Sequence, residues 1–393
     1  MRHIDLDRGA ARPLAPAVLN AMLPFFTQHY GNASSFHALG EEPRRAVDAA
    51  RNEIAGLIAA TAGEVVLTSC ASESNNHVIK GVASARRKQG NHIIASAIEH
   101  FSVLNPLRTL SKAGFNVTLL PVNEYGQVDP GELEAVITSD TILISIMTAN
   151  PEIGTIQPIK QLTEVARSHG IPFHSDATAA AGWIPLDVKD MGVDFLSLAG
   201  DQLGGPKGSG ALYVRRGTRL LPLLEGGTQE AGLRAGTENV PAIVGFGKAA
   251  RLAQASLAER AHHVSQLRDS LKESLFGTID HLHLNGHPIE RLPHNLHFSV
   301  EFVEGEALLL HLNMAGIYVS SGSSCSSQAL KSSHVLAAIG LSAALAQGSL
   351  LLTVDEDSRA EDIPYICQEL GRITQLLRNM SPLYSEWLRE GKQ

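Results

Sequence analysis

The sequence predicts an α/β protein with a large domain, built on a mostly parallel sheet covered by helices on both faces, and a small C-terminal α/β domain. Three observations lead to this prediction. Short apolar runs alternate with helical stretches from residue 65 to residue 198. A second, shorter alternation begins at residue 295. Between them, residues 193–214 place a glycine-rich loop between two apolar runs, which is typical of a functional loop delivered by buried strands.

The first alternation predicts a series of buried strands joined by helices. Strand–helix alternation at this spacing favours parallel strands with helical crossovers. Ligands bind such sheets at the carboxyl ends of the strands, so we expect the functional site there. Helices are expected near residues 74–89, 100–113, 130–137 and 158–169. The predicted strands are Val65–Thr68, Ile93–Ser96, Val117–Val122, Ile142–Met147, Ile171–His174 and Phe195–Leu198.

The flanking segments predict how the chain divides into domains. Residues 1–14 have the pattern of extended chain, and residues 15–27 have the apolar spacing of an amphipathic helix. Residues 242–268 are predicted as a long helical bridge to the second domain. We therefore expect a large domain at residues 15–257, and a small domain that combines residues 1–14 with residues 258–393.

Composition excludes several classes of function. The 393-residue chain carries a formal net charge of −8 and has no prominent run of basic residues, which argues against a nucleic-acid partner. Its three widely spaced cysteines argue against a disulfide framework and a self-contained zinc site, so a reducing cytoplasm is the expected compartment. Residues 335–354 are uncharged but contain turn-forming residues, and we interpret them as a helix, a turn and a buried strand, with no membrane span.

Residues 199–208 carry the most specific motif of the chain, Ala-Gly-Asp-Gln-Leu-Gly-Gly-Pro-Lys-Gly. This segment resembles the cofactor-lysine segment of the cysteine desulfurases, which are NifS/IscS-like class V aminotransferases of pyridoxal phosphate (PLP) fold type I. The resemblance covers nearly the whole chain and implies the same fold. In that family a lysine of this segment forms a Schiff base with PLP. Here Gln202 stands at that position, and an amide nitrogen is neither nucleophilic nor basic.

Other positions of the family's PLP site are retained. Ala71 and Ser72 lie in a Ser-Cys-Ala-Ser-Glu-Ser-Asn-Asn segment that resembles the family's phosphate-binding turn, although the same residues also fit a plain helix cap. His100 resembles the histidine that stacks on the pyridine ring. Asp176 resembles the aspartate that pairs with the protonated pyridine nitrogen. Thr237 resembles the threonine that reaches the phosphate of the partner subunit, and the resemblance therefore implies a homodimer.

Cys325 lies in a stretch of six serines and one glycine, residues 320–327. The stretch resembles the loop that carries the family's sulfur-accepting cysteine, and its composition predicts an exposed, mobile loop. A buried structural cysteine is the alternative. Because a thiolate accepts persulfide sulfur and also binds iron, Cys325 is the expected catalytic residue and an alternative iron–sulfur ligand.

Departures from the family pattern gather at positions that contact cofactor and substrate. The family's substrate-carboxylate arginine is replaced by Glu356, and two like charges 4 Å apart repel by about 4 kcal/mol at an effective dielectric near 20. Lys207 is the nearest other lysine, but it matches the family's own second lysine. The loop would have to shift before Lys207 could form the Schiff base with PLP. The further departures are Pro151, Ala179, Ala199 and Asp201.

Three hypotheses for function follow. The first is a degenerate desulfurase-like protein that has no covalently attached PLP and acts in sulfur transfer or iron–sulfur cluster assembly through Cys325, with a U-type scaffold as partner. The second is a cysteine desulfurase or related enzyme that binds PLP non-covalently. The third is a structural partner of an active desulfurase, for which no cysteine matters.

Overall fold

A seven-stranded sheet forms the centre of the N-terminal two thirds of the chain, in the order β2-β8-β7-β6-β5-β3-β4. The computed structural model describes residues 2–321 and 333–391, and all structural statements below concern these residues. Their strands are β1 (Ile4–Asp5), β2 (Val65–Thr68), β3 (His92–Ser96), β4 (Asn116–Leu120), β5 (Thr141–Ser145), β6 (Phe173–Asp176), β7 (Phe195–Ala199), β8 (Gly210–Val214), β9 (Leu282–Leu284), β10 (Asn295–Val300), β11 (Ile317–Tyr318) and β12 (Ser349–Thr353).

The sheet is mostly parallel, as predicted. Strands β4, β3, β5, β6 and β7 run parallel to one another. Strand β8 runs antiparallel to both of its neighbours, β7 and β2. Every residue of β3, β5 and β7 is buried, because helices cover both faces of the sheet and each face must then be apolar or paired. The predicted fold class is confirmed.

Helices lie before, between and after the strands, as the alternation predicted. Apolar residues recur at helical spacing along most of them, so each buries one stripe against the sheet or a neighbouring helix. The helices are α1 (Pro16–Met22), α2 (Pro24–Thr27), α3 (Ala38–Leu57), α4 (Ala71–Arg86), α5 (Phe101–Lys112), α6 (Pro130–Val136), α7 (Ile159–Ser168), α8 (Val188–Met191), α9 (Val240–Ala255), α10 (Leu257–Thr278), α11 (Gly305–Met314), α12 (His334–Ala338), α13 (Ala343–Gln347), α14 (Ile363–Met380) and α15 (Pro382–Arg389).

Helix α9 packs against the glycine-rich loop between β7 and β8. Small residues in α9 let α3 pack closely against it: a Cβ atom at Gly247 would lie 2.5 Å from the Cα atom of Ala50. On the same helix, Phe246 is fully buried, and its ring would lie 3.0 Å from a Cβ atom at Gly200. This tight packing holds the loop against α9.

A second, antiparallel sheet in the order β12-β10-β9 lies in the C-terminal part. The N-terminal strand β1 pairs in parallel with β11, and Asp7 forms a bridge with Thr353. We propose that residues 1–14 belong with residues 258–393 in one small domain, and that residues 15–257 form the large one. Within the described ranges, no helix has both the length and the apolar character needed to cross a membrane.

Candidate active site at the carboxyl edge of the sheet

The carboxyl ends of three parallel strands bring the predicted site residues to one edge of the sheet. Asp176 is the last residue of β6, and Gln202 follows the end of β7 by three positions. His100 follows the end of β3 by four positions and is the N-cap residue of α5. Sequence distance between these residues is large, but parallel strands end at the same edge and so place them together.

Asp176 is a buried carboxylate with neutral hydrogen-bond partners. It is 7% exposed. Its Oδ2 atom accepts a hydrogen bond from Asn75 Nδ2 (2.7 Å), and its Oδ1 atom accepts bonds from the Thr178 hydroxyl (2.5 Å) and amide (3.0 Å). A buried anion is stable only when it is well hydrogen-bonded or paired with a cation. These neutral donors orient the carboxylate and leave room for a cationic ligand group.

A chain of hydrogen bonds connects Asp176 to His100 through α4. The Nδ2 atom of Asn75 donates to Asp176 and also to Ser102 Oγ at 2.8 Å. The Ser102 Oγ atom therefore accepts from Asn75 and directs its own proton to His100 Nδ1 at 2.7 Å. The backbone amide of Ser102 donates to the same Nδ1 atom at 3.1 Å. His100 Nδ1 is therefore a hydrogen-bond acceptor, and Nε2 is the ring nitrogen available to donate. Asn75 and Ser102 were not singled out from the sequence, because only folding places them between the two site residues.

Two buried titratable groups next to Asp176 are uncharged at neutral pH. Glu99 is fully buried, and burial raises its pKa to about 8, with the nearby Asp176 charge acting in the same direction. Its Oε1 atom accepts hydrogen bonds from Ser96 Oγ (2.6 Å) and from the Met147 amide (2.9 Å). Burial lowers the pKa of His174 to about 4. Both shifts favour the neutral forms of Glu99 and His174. Neither group then competes with a ligand cation for the charge of Asp176.

The N-terminal turn of α4 contains Ala71 and Ser72, and it is connected to the segment that carries Thr237. The connection is Glu73, which accepts hydrogen bonds from Arg234 Nε (2.9 Å) and from the amide and hydroxyl of Ser69 (2.8 and 2.5 Å). Burial opposes ionisation of Glu73, but these bonds outweigh it and lower its pKa. The helix begins without a side-chain cap, so its first backbone N–H groups remain available to an anion.

The segment before Arg234 is held by a second ion pair. Glu230, whose side chain is 4% exposed, pairs with Arg51 at 2.5 and 2.7 Å and also accepts the Leu67 amide at 2.8 Å. Glu230 and Ala231 both adopt left-handed backbone conformations, with φ of 48° and 55°. Non-glycine residues adopt these angles only when the surroundings compensate, and the Arg51 pair supplies that compensation.

A Glu230→Ala variant is expected to lower the free energy of unfolding by about 3 kcal/mol, because it leaves a mostly buried guanidinium group without its partner. Urea titration measures the change. Glu225→Ala, in the same segment but at an exposed position, is the control and should cost less than about 0.5 kcal/mol. Equal losses in the two variants would show that the Arg51 pair does not hold the segment.

Gln202 occupies a tight turn immediately after β7. Residues 201–203 form one turn of 3₁₀ helix, and the Gly205 amide bonds back to the Gly200 carbonyl at 2.9 Å. Gly204 has φ of +74°, a conformation that a side chain would disfavour. Lys207 is exposed and lies beyond this turn. The turn therefore keeps its folded geometry, while the amine that would make it reactive is absent from position 202.

Glu356 does not stand alone, contrary to the sequence argument that treated it as an unpaired anion. Arg12 Nη2 donates to both of its carboxylate oxygens at 2.7 Å. Burial acts against the ionised carboxylate, but Arg12 and Arg260 outweigh it and lower the pKa of Glu356. Arg12 Nη1 also approaches the Gln202 carbonyl at 3.4 Å. The repulsion expected for a ligand carboxylate is therefore offset by a cation that the sequence analysis missed.

Cys325 lies outside the described residues. The first two described residues after it contact residues near the site: Ser333 hydrogen-bonds with Glu152, and His334 Nε2 lies 3.0 Å from the Glu99 carbonyl oxygen. The His334 ring also lies 4.9 Å from that of Phe101. Residue 334 therefore lies close to the segment that carries His100.

The retained residues fit non-covalent binding of PLP. A buried carboxylate with neutral partners suits the N–H of a protonated pyridine ring, and Asp176 provides it. His100 offers an aromatic ring, and the first turn of α4 offers N–H groups without a side-chain cap to a phosphate. The covalent link is the part that does not fit, because Gln202 has no amine. These residues could therefore hold the ring and the phosphate of PLP, without a covalent link at residue 202.

Comparison with known proteins agrees with the resemblance noted in the sequence. The aminotransferase class-V family model matches residues 4–348. A cysteine desulfurase IscS from Methanosarcina thermophila is 48% identical over 382 residues, covering 97% of this chain and 94% of the relative. A cysteine desulfurase IscS from Dictyoglomus turgidum is 46% identical over 98% of both chains. A solved NifS-like protein superposes with a TM-score of 0.90 at 35% identity, over 96% of this chain and 100% of that one. The chain therefore belongs to the IscS/NifS cysteine desulfurase family of the class V aminotransferases.

Proposed function

We propose that this family member acts in sulfur transfer for iron–sulfur cluster assembly, through Cys325 and without covalently attached PLP. The observation that carries the proposal is the turn at Gln202, which is closely packed but has lost its amine. An amide nitrogen has no basic lone pair, so it neither attaches a carbonyl cofactor nor accepts a proton from a substrate carbon. A chain of this kind is expected to receive sulfur rather than to release it from cysteine.

The proposed chemistry at Cys325 is a thiol exchange. Its thiolate attacks the outer sulfur of a persulfide on a donor protein, the donor's S–S bond breaks, and the donor leaves as a thiolate. Cys325 then carries the persulfide and passes it to an acceptor such as a U-type scaffold. The contacts of Ser333 and His334 with Glu152 and Glu99 support this role, because they place residues 333 and 334, eight and nine positions after Cys325, next to the site. Direct binding of a cluster by the thiolate is the alternative use of the same group.

The pocket at the carboxyl edge of the sheet has a secondary role in this proposal. When bound, PLP would supply an electron sink for carbanion chemistry. Asp176 would hold its ring nitrogen, His100 would cover its ring, and the first turn of α4, with Ala71 and Ser72, would hold its phosphate. The proposed homodimer would bring Thr237 of one subunit to the phosphate of the other. We propose the cytoplasm as the compartment, since its reducing conditions keep the Cys325 thiol out of disulfide bonds.

A Cys325→Ser variant is expected to lose sulfur transfer completely. The measurement is persulfide formation on the full-length chain after incubation with an active desulfurase and cysteine, followed by cluster formation on a U-type scaffold. Cys70→Ser is the matched control, because Cys70 is a free, half-buried thiol outside the loop. Undiminished transfer by Cys325→Ser would contradict the proposal, and it would favour a purely structural partner of an active desulfurase.

Desulfuration with non-covalently bound PLP is the second candidate function. The hydrogen-bond chain from Asp176 through Asn75 and Ser102 to His100 favours it, since this chain is intact. Sulfide release from cysteine, dependent on added PLP and lost in Asp176→Asn, would support this function. Absence of sulfide release, together with persulfide uptake at Cys325, would support the first candidate function, sulfur transfer.

A further inference from the structure

Two arginines pack around one tryptophan beside the Gln202 turn. The guanidinium carbons of Arg12 and Arg260 each lie 5.2 Å from the ring centre of Trp183. The His294 ring stacks on the same tryptophan at 4.2 Å with an interplanar angle of 24°. With Glu356, these residues form a group that we call the arginine cluster. It brings together the N-terminal segment, the start of α10, the residue before β10 and the segment after β12.

The cluster has more positive than negative charge. Arg12 and Arg260 contribute two positive charges and Glu356 one negative charge. His294 adds none, because burial, together with Arg12, Arg268 and Arg260, lowers its pKa to about 3. Burial also lowers the pKa of Arg260, with Glu356 acting in the opposite direction and Arg12 in the same one. Asp355 is a second anion near Arg12 and Glu356, but it pairs with Arg8 at 3.1 Å, so one further negative charge would still balance Arg12 and Arg260.

Hydrogen-bond donors in the cluster remain unused. A guanidinium group has five N–H donors, and the contacts of Arg12 with Glu356 and Gln202 account for three of them. Arg260 donates through Nη2 to the carbonyls of Gly182 and Ala253. Its Nε atom is buried and has no hydrogen-bond partner among the described residues. Planar guanidinium groups with free donors are suited to a carboxylate, which accepts two bonds at once.

The anion of the cluster is its exposed and replaceable part. The Glu356 side chain is 43% exposed, whereas that of Arg12 is 8% exposed and lies against Trp183. Solvent access allows the glutamate to leave without disturbing the packed core, while Arg12 keeps its position. A ligand carboxylate that makes the same pair of bonds can therefore replace the glutamate.

We propose that Arg12 and Arg260 bind the carboxylate of a small ligand, and that Glu356 occupies this site until the ligand displaces it. The ligand class is an amino acid or a similar small monocarboxylate. The inference rests on the proposed retention of the pocket, but not on sulfur transfer, since it concerns binding alone. Glu356 therefore competes with the ligand carboxylate for Arg12. The affinity of the site for the ligand depends on the free energy needed to break the Arg12–Glu356 pair.

Tryptophan fluorescence of the full-length chain tests the proposal. The sequence has two tryptophans, so a Trp387→Phe background leaves Trp183 as the only reporter. The probes are L-alanine and ethylamine, which differ in the carboxylate. L-Alanine is expected to change the fluorescence saturably, and ethylamine is not. Glu356→Gln is expected to lower the Kd for L-alanine by about tenfold or more, because it removes the competing charge.

The matched control is Glu369→Gln, which removes an equal charge from an ion pair with Arg372 on α14. It should leave the Kd unchanged. Equal affinities for L-alanine in Glu356→Gln and Glu369→Gln would overturn the proposal, and so would equal responses to L-alanine and ethylamine. The assay contains neither PLP nor a sulfur donor. A negative result would therefore not contradict sulfur transfer through Cys325, and loss of sulfur transfer would not contradict carboxylate binding at the arginine cluster.

Discussion

A Gln202→Lys variant is expected to retain PLP through gel filtration, whereas the wild-type chain is expected to lose it. The reason is that the turn places residue 202 at the carboxyl edge of the sheet, three positions after the end of β7. Its backbone bonds, the left-handed Gly204 and the packing of Gly200 against Phe246 do not depend on the side chain at position 202. A lysine there would add a covalent bond to contacts that Asp176 and the first turn of α4 already offer.

Borohydride reduction followed by peptide mass analysis identifies the attachment point. The expected adduct in the variant lies on residue 202 and is absent from the wild-type chain. Gln202→Arg is the control, since it adds a positive charge without a reactive amine and should give no adduct. A wild-type adduct on Lys207 would mean that the second lysine has taken over, and the proposal of a chain without attached PLP would then be wrong.

A Glu99→Gln variant is expected to flatten the dependence of stability on pH. In the folded chain the pKa of Glu99 is about 8, against an ordinary value of 4.5. The folded state therefore keeps a proton that the unfolded state releases. This contribution to stability is fully present below about pH 4.5 and is lost as the pH rises through 8. The total is on the order of 5 kcal/mol, and glutamine cannot titrate.

Urea unfolding at pH 5 and at pH 9 measures this effect. The variant and the wild-type chain should be similar at pH 5, where Glu99 is neutral in the folded state, and the variant should be more stable at pH 9. Glu134→Gln, at an exposed position, is the control and should follow the wild-type curve. A parallel pH dependence in wild type and Glu99→Gln would show that Glu99 is already ionised in the folded chain.

The sequence was sufficient for the architecture, although β4 and β5 end two residues before their predicted ends and β6 ends two residues after its predicted end, at Asp176. Apolar runs such as Ile93–Ser96 coincide with β3, because a strand buried on both faces must be continuously apolar. Asp176 and His100 were predicted by resemblance to the family's site residues, and both lie shortly after such runs. Resemblance, and not periodicity, also led to the prediction that Gln202 stands at the lysine position.

Contacts between distant segments could not be predicted from the sequence. Arg12 is separated from Glu356 by 344 positions, and nothing in either local pattern indicates that they pair. The link from Asp176 to His100 depends on Asn75, which was part of a quoted motif but had no assigned partner. Side-chain pairing across elements follows from packing, which a one-dimensional pattern does not contain. The antiparallel direction of β8 likewise emerged only in the folded sheet.

The pairing of β1 with β11 has a consequence for how the chain is made. Ile4 faces Ile317, so the two partners are 313 residues apart (317 − 4). At a synthesis rate of about 5–20 residues per second, the first strand waits roughly 15 to 60 s on the ribosome before its partner exists. During that time β2 to β8 can assemble behind it. Strand β1 is therefore synthesised long before its partner and is among the last strands to pair, and a chaperone that protects its unpaired edge would act on Ile4–Asp5.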